Sequence, residues 1–522
     1  MRSSSPPPAD ADAGAAGERL TSVFAPELRA AMIALLTIVA VGAFEGLAVA
    51  AALPQVAADL GGVDLLPWVL TTYLLVAGVA TVVAGALVDR HGVRPVFRWS
   101  VLIFVIGAVG ASFAPSMEVL VAARVVHGIG GGATNAVALA AVGLVFPRHL
   151  VGRAFAVNAT VWGVMSVAGP GIAAGLLLIA NWRWIFLVNI PLGALALWMG
   201  NRSLPASPPA GANAGRGRID LVALALLTVF SVGSLVAFDQ LAWTSLGALA
   251  VALAASAIVM RRMRGRPDAL VAPRHVLSAP LGPLAWSIAL LLIGGIGTQL
   301  YVPLYVSAGR GVDAALAAWS IMFFTLGWTT GAQVSSRLMD TRGPQQVTTL
   351  GASIVAPACA VVAGVAFLDA PLWVVFAALV VAGFGMGTST NSALTLLRLL
   401  APDEEMGRAT AAHQYIRSQG FAGGSALGGA VLLLVVATQT GDVEAVRELL
   451  AGAGEGAGGG ATDVGTAVAA AVQDGFATAA LVCAGVATLA HLPLRAVRRA
   501  ARRARAEEGA ASGGQDAPLG SA

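Results

Sequence analysis

The stretch "GALVDRHGVRPVF", Gly85 to Phe97, ends a long apolar run in a burst of charge. No charged residue occurs between Val69 and Val88; Asp89, Arg90, His91 and Arg94 then follow, with Gly85 and Gly92 around them. A border of this kind is where a helix leaves hydrocarbon for water. The whole chain fits that setting: 57% of its 522 residues are hydrophobic and 11% are charged, with a mean hydropathy of +0.81. A soluble chain carries about a quarter charged residues, so lipid must be the solvent for much of this one. The net charge of +4 suits a membrane protein that keeps its basic residues on the cytoplasmic side better than it suits a nucleic-acid partner. Every basic residue is Arg and none is Lys, which points to a GC-rich bacterial genome rather than to a mechanism.

Working outward from Gly85, apolar stretches of spanning length occur near 30–53, 66–88, 98–114, 119–146, 154–180 and 183–200. A Pro/Gly/Arg-rich break, "NRSLPASPPAGANAGRGR", precedes stretches at 219–238 and 241–260. After a second break come 281–306, 314–336, 346–368, 371–395, 409–437 and 467–491. The expected fold is therefore an all-α integral membrane protein with 14 transmembrane helices, arranged six, two, six. Its expected parts are a disordered tail over 1–28, a six-helix bundle over 29–200 and linkers with a central helix pair over 201–280. A second six-helix bundle over 281–491 and a basic tail over 492–522 follow. The first twenty residues lack the apolar core of a cleaved signal peptide. With this count, Arg90, Arg94, Arg148, Arg153, Arg202, Arg261, Arg337 and Arg408 share one face, while Arg183, Arg310 and Arg447 lie on the other. Arg enrichment marks the cytoplasmic side, so both termini are expected inside, in the plasma membrane. The long outer loop near 440–466 is acidic and Gly-rich, with no function assigned.

The opening stretch has an echo in "SRLMDTRGPQQV", Ser336 to Val347, which sets Asp340 on Asp89, Gly343 on Gly92 and Ser336 on Gly85, with Arg342 beside them. Both copies follow the second helix of a six-helix set, and a parallel repeat of this kind is a transporter architecture.

On these residues the chain resembles the major facilitator superfamily: Gly85, Leu87, Asp89, Arg90, Gly92 and Arg94 match its loop 2–3 signature. "RVVHGIGGGA" from Arg124 looks like its fourth-helix motif, with His127 where Gln is common. "WGVMSVAGPGIAAG", Trp162 to Gly175, resembles the fifth-helix antiporter motif with its Gly169–Pro170 pair, and Ala173 and Ala174 stand where that motif usually has a Gly pair. "NWRWIFLVNIPLG" and "WVLTTY" resemble drug exporters, and fourteen spans are the hallmark of the drug:proton antiporter-2 family. Glu45, nine residues before Pro54, takes the place of the Asp of that family's first-helix motif, while Leu47 and Ala50 replace its usual Thr and Asn.

The resemblance implies a proton-coupled antiporter exporting hydrophobic or cationic drugs, with small molecules, protons and membrane lipid as its partners and a monomer as its unit. An acid at membrane depth is costly and faces a cavity or a partner, so Glu45 is a candidate for binding a proton, a cationic substrate, or both in turn; a purely structural pairing is the other reading. Arg124 by resemblance serves proton coupling, or else snorkels to the helix end. His127 either titrates or substitutes a hydrogen-bonding group for Gln. Gly169, Pro170 and Gly175 imply a bend biasing the carrier toward exchange, against ordinary membrane packing. Asp89 by resemblance engages Arg residues and the positive end of a helix in the opposite half, forming a cytoplasmic gate. Thr71, Tyr73, Gln299, Tyr301, Tyr305, Trp328, Asn391 and Arg417 are candidates for the cavity wall; His413 and Arg417, four apart, share a face.

No phosphate-cradling loop, HExxH or Cys-x-x-Cys occurs, and Cys359 and Cys483 both fall in apolar runs. No enzyme activity, metal, cofactor or nucleic acid is expected. A dedicated exporter of one metabolite, antibiotic, lipid or siderophore fits the same residues; an importer or a non-transporting receptor fits them less well.

Overall fold

The computed structural model describes residues 23–61, 65–206, 220–239, 243–264, 266, 273–312, 317, 319–440 and 466–500. The tail before residue 23, most of the 201–219 break, the loop at 441–465 and the tail beyond residue 500 lie outside the described residues.

The described residues are helical and contain no strand. The first helices are α1 (Pro26–Leu60), α2 (Leu66–His91), α3 (Val93–Ser112), α4 (Met117–Val145), α5 (Val151–Ile179) and α6 (Asn189–Ser203), the last preceded by a helical turn at Arg183–Leu187. Then come α7 (Leu221–Asp239) and α8 (Trp243–Met263). The remaining long helices are α9 (Leu281–Gln299), α10 (Ser320–Arg342), α11 (Pro344–Phe367), α12 (Leu372–Leu400), α13 (Met406–Thr440) and α14 (Thr466–Leu489). Among the described residues, ten helical stretches are long and apolar enough to cross a membrane. A chain in hydrocarbon must satisfy its backbone within each segment, which leaves helices as the solution for these runs.

The sequence echo has a backbone counterpart. Gly92, at φ +84°, separates α2 from α3, and Gly343, at φ +73°, separates α10 from α11. Side chains with a Cβ rarely adopt that left-handed conformation, so the glycine turns both hairpins without a loop. Likewise α4 ends at extended Phe146 before Pro147, and α12 at extended Ala401 before Pro402, as the residue before proline requires.

Helices α1–α6 pack on one another, as do α9–α14. One core gathers Phe97, Phe104, Val137 and Phe155; the other gathers Leu291, Phe324, Met386 and Phe476. The two groups meet along α2–α13 and α5–α10. Helices α7 and α8 pair with each other, and α7 also lies against both α2 and α13. Val82 of α2, Leu227 of α7, Val259 of α8 and Tyr415 of α13 share one apolar cluster there. The Ser231 hydroxyl lies 2.9 Å from that of Tyr415.

Candidate functional site

The candidate site is a buried polar cluster where α1, α4 and α6 converge. Glu45 is fully buried. Its Oε1 accepts from Arg124 Nη1, and its Oε2 accepts from Asn189 Nδ2 at 2.9 Å. Arg124, also buried, donates from Nε to the Val69 carbonyl at 2.9 Å. His127 Nδ1 stands 3.0 Å from Arg124 Nη1 and 3.6 Å from Glu45 Oε1. Accepting from a guanidinium requires a bare Nδ1, which places the imidazole proton on Nε2. No side-chain or backbone partner meets Nε2 among the described residues.

Aromatic rings enclose this cluster. The Arg124 guanidinium carbon lies 4.3 Å from the centroid of Tyr73 and 5.6 Å from that of Phe186. The His127 ring packs 4.3 Å from Phe104. Cation–π contact and the carboxylate together compensate a guanidinium that cannot shed its charge. The sequence singled out Glu45, Arg124, His127 and Tyr73 separately; the fold joins them and adds Asn189 and Phe186. Asn189, a polar residue inside an apolar run, was the available signal. Tyr73 therefore holds Arg124 instead of forming an open wall.

A second polar site lies at the charged ends of α2 and α13. Asp89 Oδ1 accepts from the Gly407 amide at 2.6 Å, and its Oδ2 accepts from the Arg408 amide at 2.9 Å and Arg408 Nε at 3.0 Å. Those amides open α13, so a carboxylate caps a helix N-terminus across the two halves. A Cβ on Gly85 would stand 2.5 Å from the Gly407 carbonyl oxygen, so only glycine lets α2 approach α13 this closely. Arg94 fixes the turn by donating from Nε to the Leu204 carbonyl at 2.5 Å. In the repeat, exposed Asp340 accepts from Arg153 Nη2 at 3.3 Å, joining α10 to α5, while Arg342 is exposed beside Gly343.

Arg408 also lies 3.8 Å from Glu405, which pairs with Arg274 and accepts from His275 Nε2 at 2.9 Å. His275 follows the α7–α8 pair, so that pair's exit is tied to the same rim. Burial, with Arg274 and Arg408 nearby, pushes the His275 imidazole down from 6.5 to about 4. Its unfolded form thus binds more protons between those values, and stability should rise with pH across that window. Melting temperatures of the purified protein should climb between pH 4 and 6.5, with a shallower slope in His275→Gln; equal slopes would remove His275 from this contact.

The superfamily model described as Major Facilitator Superfamily matches residues 33–425. The chain belongs to the major facilitator superfamily. This is a transporter family and not an enzymatic one. This superfamily member is 30% identical over 269 residues to YebQ, an uncharacterised transporter of Escherichia coli, a match covering 50% of this chain and 57% of YebQ. The chain thus spans little more than half the length of that relative. It is 27% identical over 400 residues to the multidrug transporter protein MdtP of Bacillus subtilis, covering 75% of this chain and 72% of MdtP. Its fold resembles that of the proton:xylose symporter XylE, with a TM-score of 0.59, 13% identity and coverage of 90% of this chain and 95% of that one.

Several candidate residues of this superfamily member fall elsewhere than a cavity wall. Tyr305 is fully buried, stacked 4.6 Å from Phe476, with its hydroxyl accepting from Arg310. It belongs to the core because an aromatic opening the helical turn Tyr305–Gly309 beyond α9 finds an apolar partner on α14. Asn391 is buried, donating to Ser335 Oγ at 2.8 Å and the Ala332 carbonyl at 3.2 Å; it pins α12 to α10. The Tyr301 hydroxyl donates to the Ser425 carbonyl at 2.7 Å, joining the end of α9 to α13. Gln299 is half-buried on α9, and Trp328 and Arg417 are half-buried. The side chains of Thr71 and Pro170 lie outside the described residues, although α5 is helical through both Gly169 and Pro170. A Cβ on Gly175 would meet nothing within 4 Å, so close packing does not require glycine there. The tight approach on α5 is at Gly163, against Thr329 of α10.

Proposed function

We propose that this chain is a proton-coupled antiporter that exports hydrophobic and cationic small molecules across the plasma membrane by alternating access. The observation that carries the reading is the wholly buried Glu45, held by Arg124 and Asn189. A carboxyl group between helices is a proton carrier in reach of both sides once the bundles move. Protonation from the outside neutralises Glu45 and loosens its hold on Arg124; deprotonation inside restores the pair and favours uptake of the next cation. The two six-helix bundles, over 29–200 and 281–491, rock about the cavity between them. The Asp89 contact latches the cytoplasmic rim while the outer side is open. Helices α5, α7, α8 and α10 join the ten apolar stretches to give fourteen spans with both termini inside. The likeness to MdtP, named as a multidrug transporter, supports export of drugs.

Everted vesicles acidified inside should accumulate ethidium, and a protonophore should abolish the uptake. Glu45→Gln should lower the gradient-driven rate to background while leaving the protein folded. Full retention of proton-driven uptake by Glu45→Gln would sink the coupling role. Uptake confined to a single compound would narrow the reading to a dedicated exporter.

A further inference from the structure

The second buried-facing charge of the bundle has no counter-ion among the described residues. Arg417 lies 11 residues beyond the first residue of α13, roughly 16 Å along the helix axis at 1.5 Å per residue, far from the charged rim. On this helix Gly420 and Gly424 face α9, Gly407 faces α2, and Tyr415 faces α7. Helical spacing sets Arg417 between the α9 and α2 faces, turned to the interior. There its guanidinium carbon lies 5.8 Å from the centroid of Trp328 on α10. No acidic side chain among the described residues reaches it. Arg124, by contrast, is neutralised by Glu45. Of these described charges, Arg124, Arg417 and Glu45, the sum is one positive charge when Glu45 is ionised and two when it is protonated.

A second group points the same way. His413, one turn before Arg417 on the same face, is only 2% exposed. Its Nδ1 has no partner among the described residues. A guanidinium, an imidazole able to donate a hydrogen bond and an indole ring make a set that suits an anionic group on an aromatic body. A guanidinium binds a carboxylate through two parallel N–H donors, and Trp328 offers a flat apolar face. We infer that Arg417, with His413 and Trp328, forms a subsite for a carboxylate or similar anionic group on a hydrophobic substrate. The transported class then includes amphiphiles carrying an acid, with the cationic portion directed to the Glu45 half. This inference rests on the exporter reading for the transport step but not for binding.

Rhodamine B and its ethyl ester form a matched pair, differing only in whether the carboxylate is free. Binding of each to the purified full chain is followed by fluorescence polarisation. Rhodamine B should bind the wild type about tenfold more tightly than the ester, the factor expected from one charge-assisted pair. Arg417→Gln should remove that preference by weakening rhodamine B alone, and Arg417→Lys should restore part of it. Equal affinities for the two dyes in the wild type, no binding of either dye, or an equal loss of both in Arg417→Gln would overturn the subsite. Proton-driven uptake of both dyes into vesicles is read separately. A binding preference without any uptake leaves the subsite standing and removes the exporter reading.

Discussion

Glu45→Ala should cost more stability than Arg124→Ala, although the two variants break the same ion pair. The pair is buried, and removing one partner of such a pair costs roughly 3–5 kcal/mol. The costs differ because the survivors differ. A carboxyl left alone sheds its charge by taking a proton, and Asn189 still donates to it. A guanidinium left alone stays charged and keeps only the Val69 carbonyl, His127 and the Tyr73 face. Unfolding in detergent should place Glu45→Ala at the upper end of that range and Arg124→Ala at the lower end. Converting both residues together to Ala should cost less than the sum of the single changes, because the double variant strands no charge. A strictly additive result would mean that the two side chains do not interact as described. Transport should vanish in all of these variants, including the stable double variant, since none retains a proton-binding group paired to a cation.

The second large effect belongs to Gly85. Its replacement by Leu places a side chain where the Gly407 carbonyl and Ala411 already stand. Overpacking cannot be relieved by a rotamer change when the obstacle is backbone. Helices α2 and α13 should then be held apart at their charged ends, and transport should fall by at least about tenfold, the effect of roughly 1.4 kcal/mol on a required closure. Asp89→Asn should act in the same direction without the steric clash, because each hydrogen bond to a charged group is worth roughly 1.5–3 kcal/mol. Spin labels on exposed Asn201 and Thr341, one on each half, report the separation directly. Both variants should gain a long-distance population at normal expression level. An unchanged distance distribution with lost transport would place the role of Asp89 in substrate handling instead of closure.

Much of this molecule is legible in its sequence. Hydrocarbon admits few backbone solutions, so runs of apolar residues ending at Arg and Gly announced their helices. The left-handed glycines at the α2–α3 and α10–α11 turns were visible as the echo between Gly92 and Gly343, since no other residue suits that backbone. The Glu45–Arg124 pair was half legible: each residue is costly where it sits, so each needs a partner, but 79 positions of sequence separate them. Asn189 stood out as a polar residue in an apolar run, but nothing local named Glu45 as its partner or told Tyr305 in the core from an aromatic facing a cavity. Those distinctions depend on which face of a helix meets which neighbour, a property of helix packing angles and not of composition. At the rim the resemblance gave Asp89 a helix end and Arg residues in the opposite half, but not which ones; the amides it meets lie 318 and 319 residues away. The sequence by itself determined that lipid surrounds much of the chain and that apolar helices cross it, because solvation and backbone geometry act residue by residue. Only the tertiary structure decided that Glu45 neutralises Arg124 while no acid among the described residues reaches Arg417, because the cost of a buried charge depends on what the fold sets beside it.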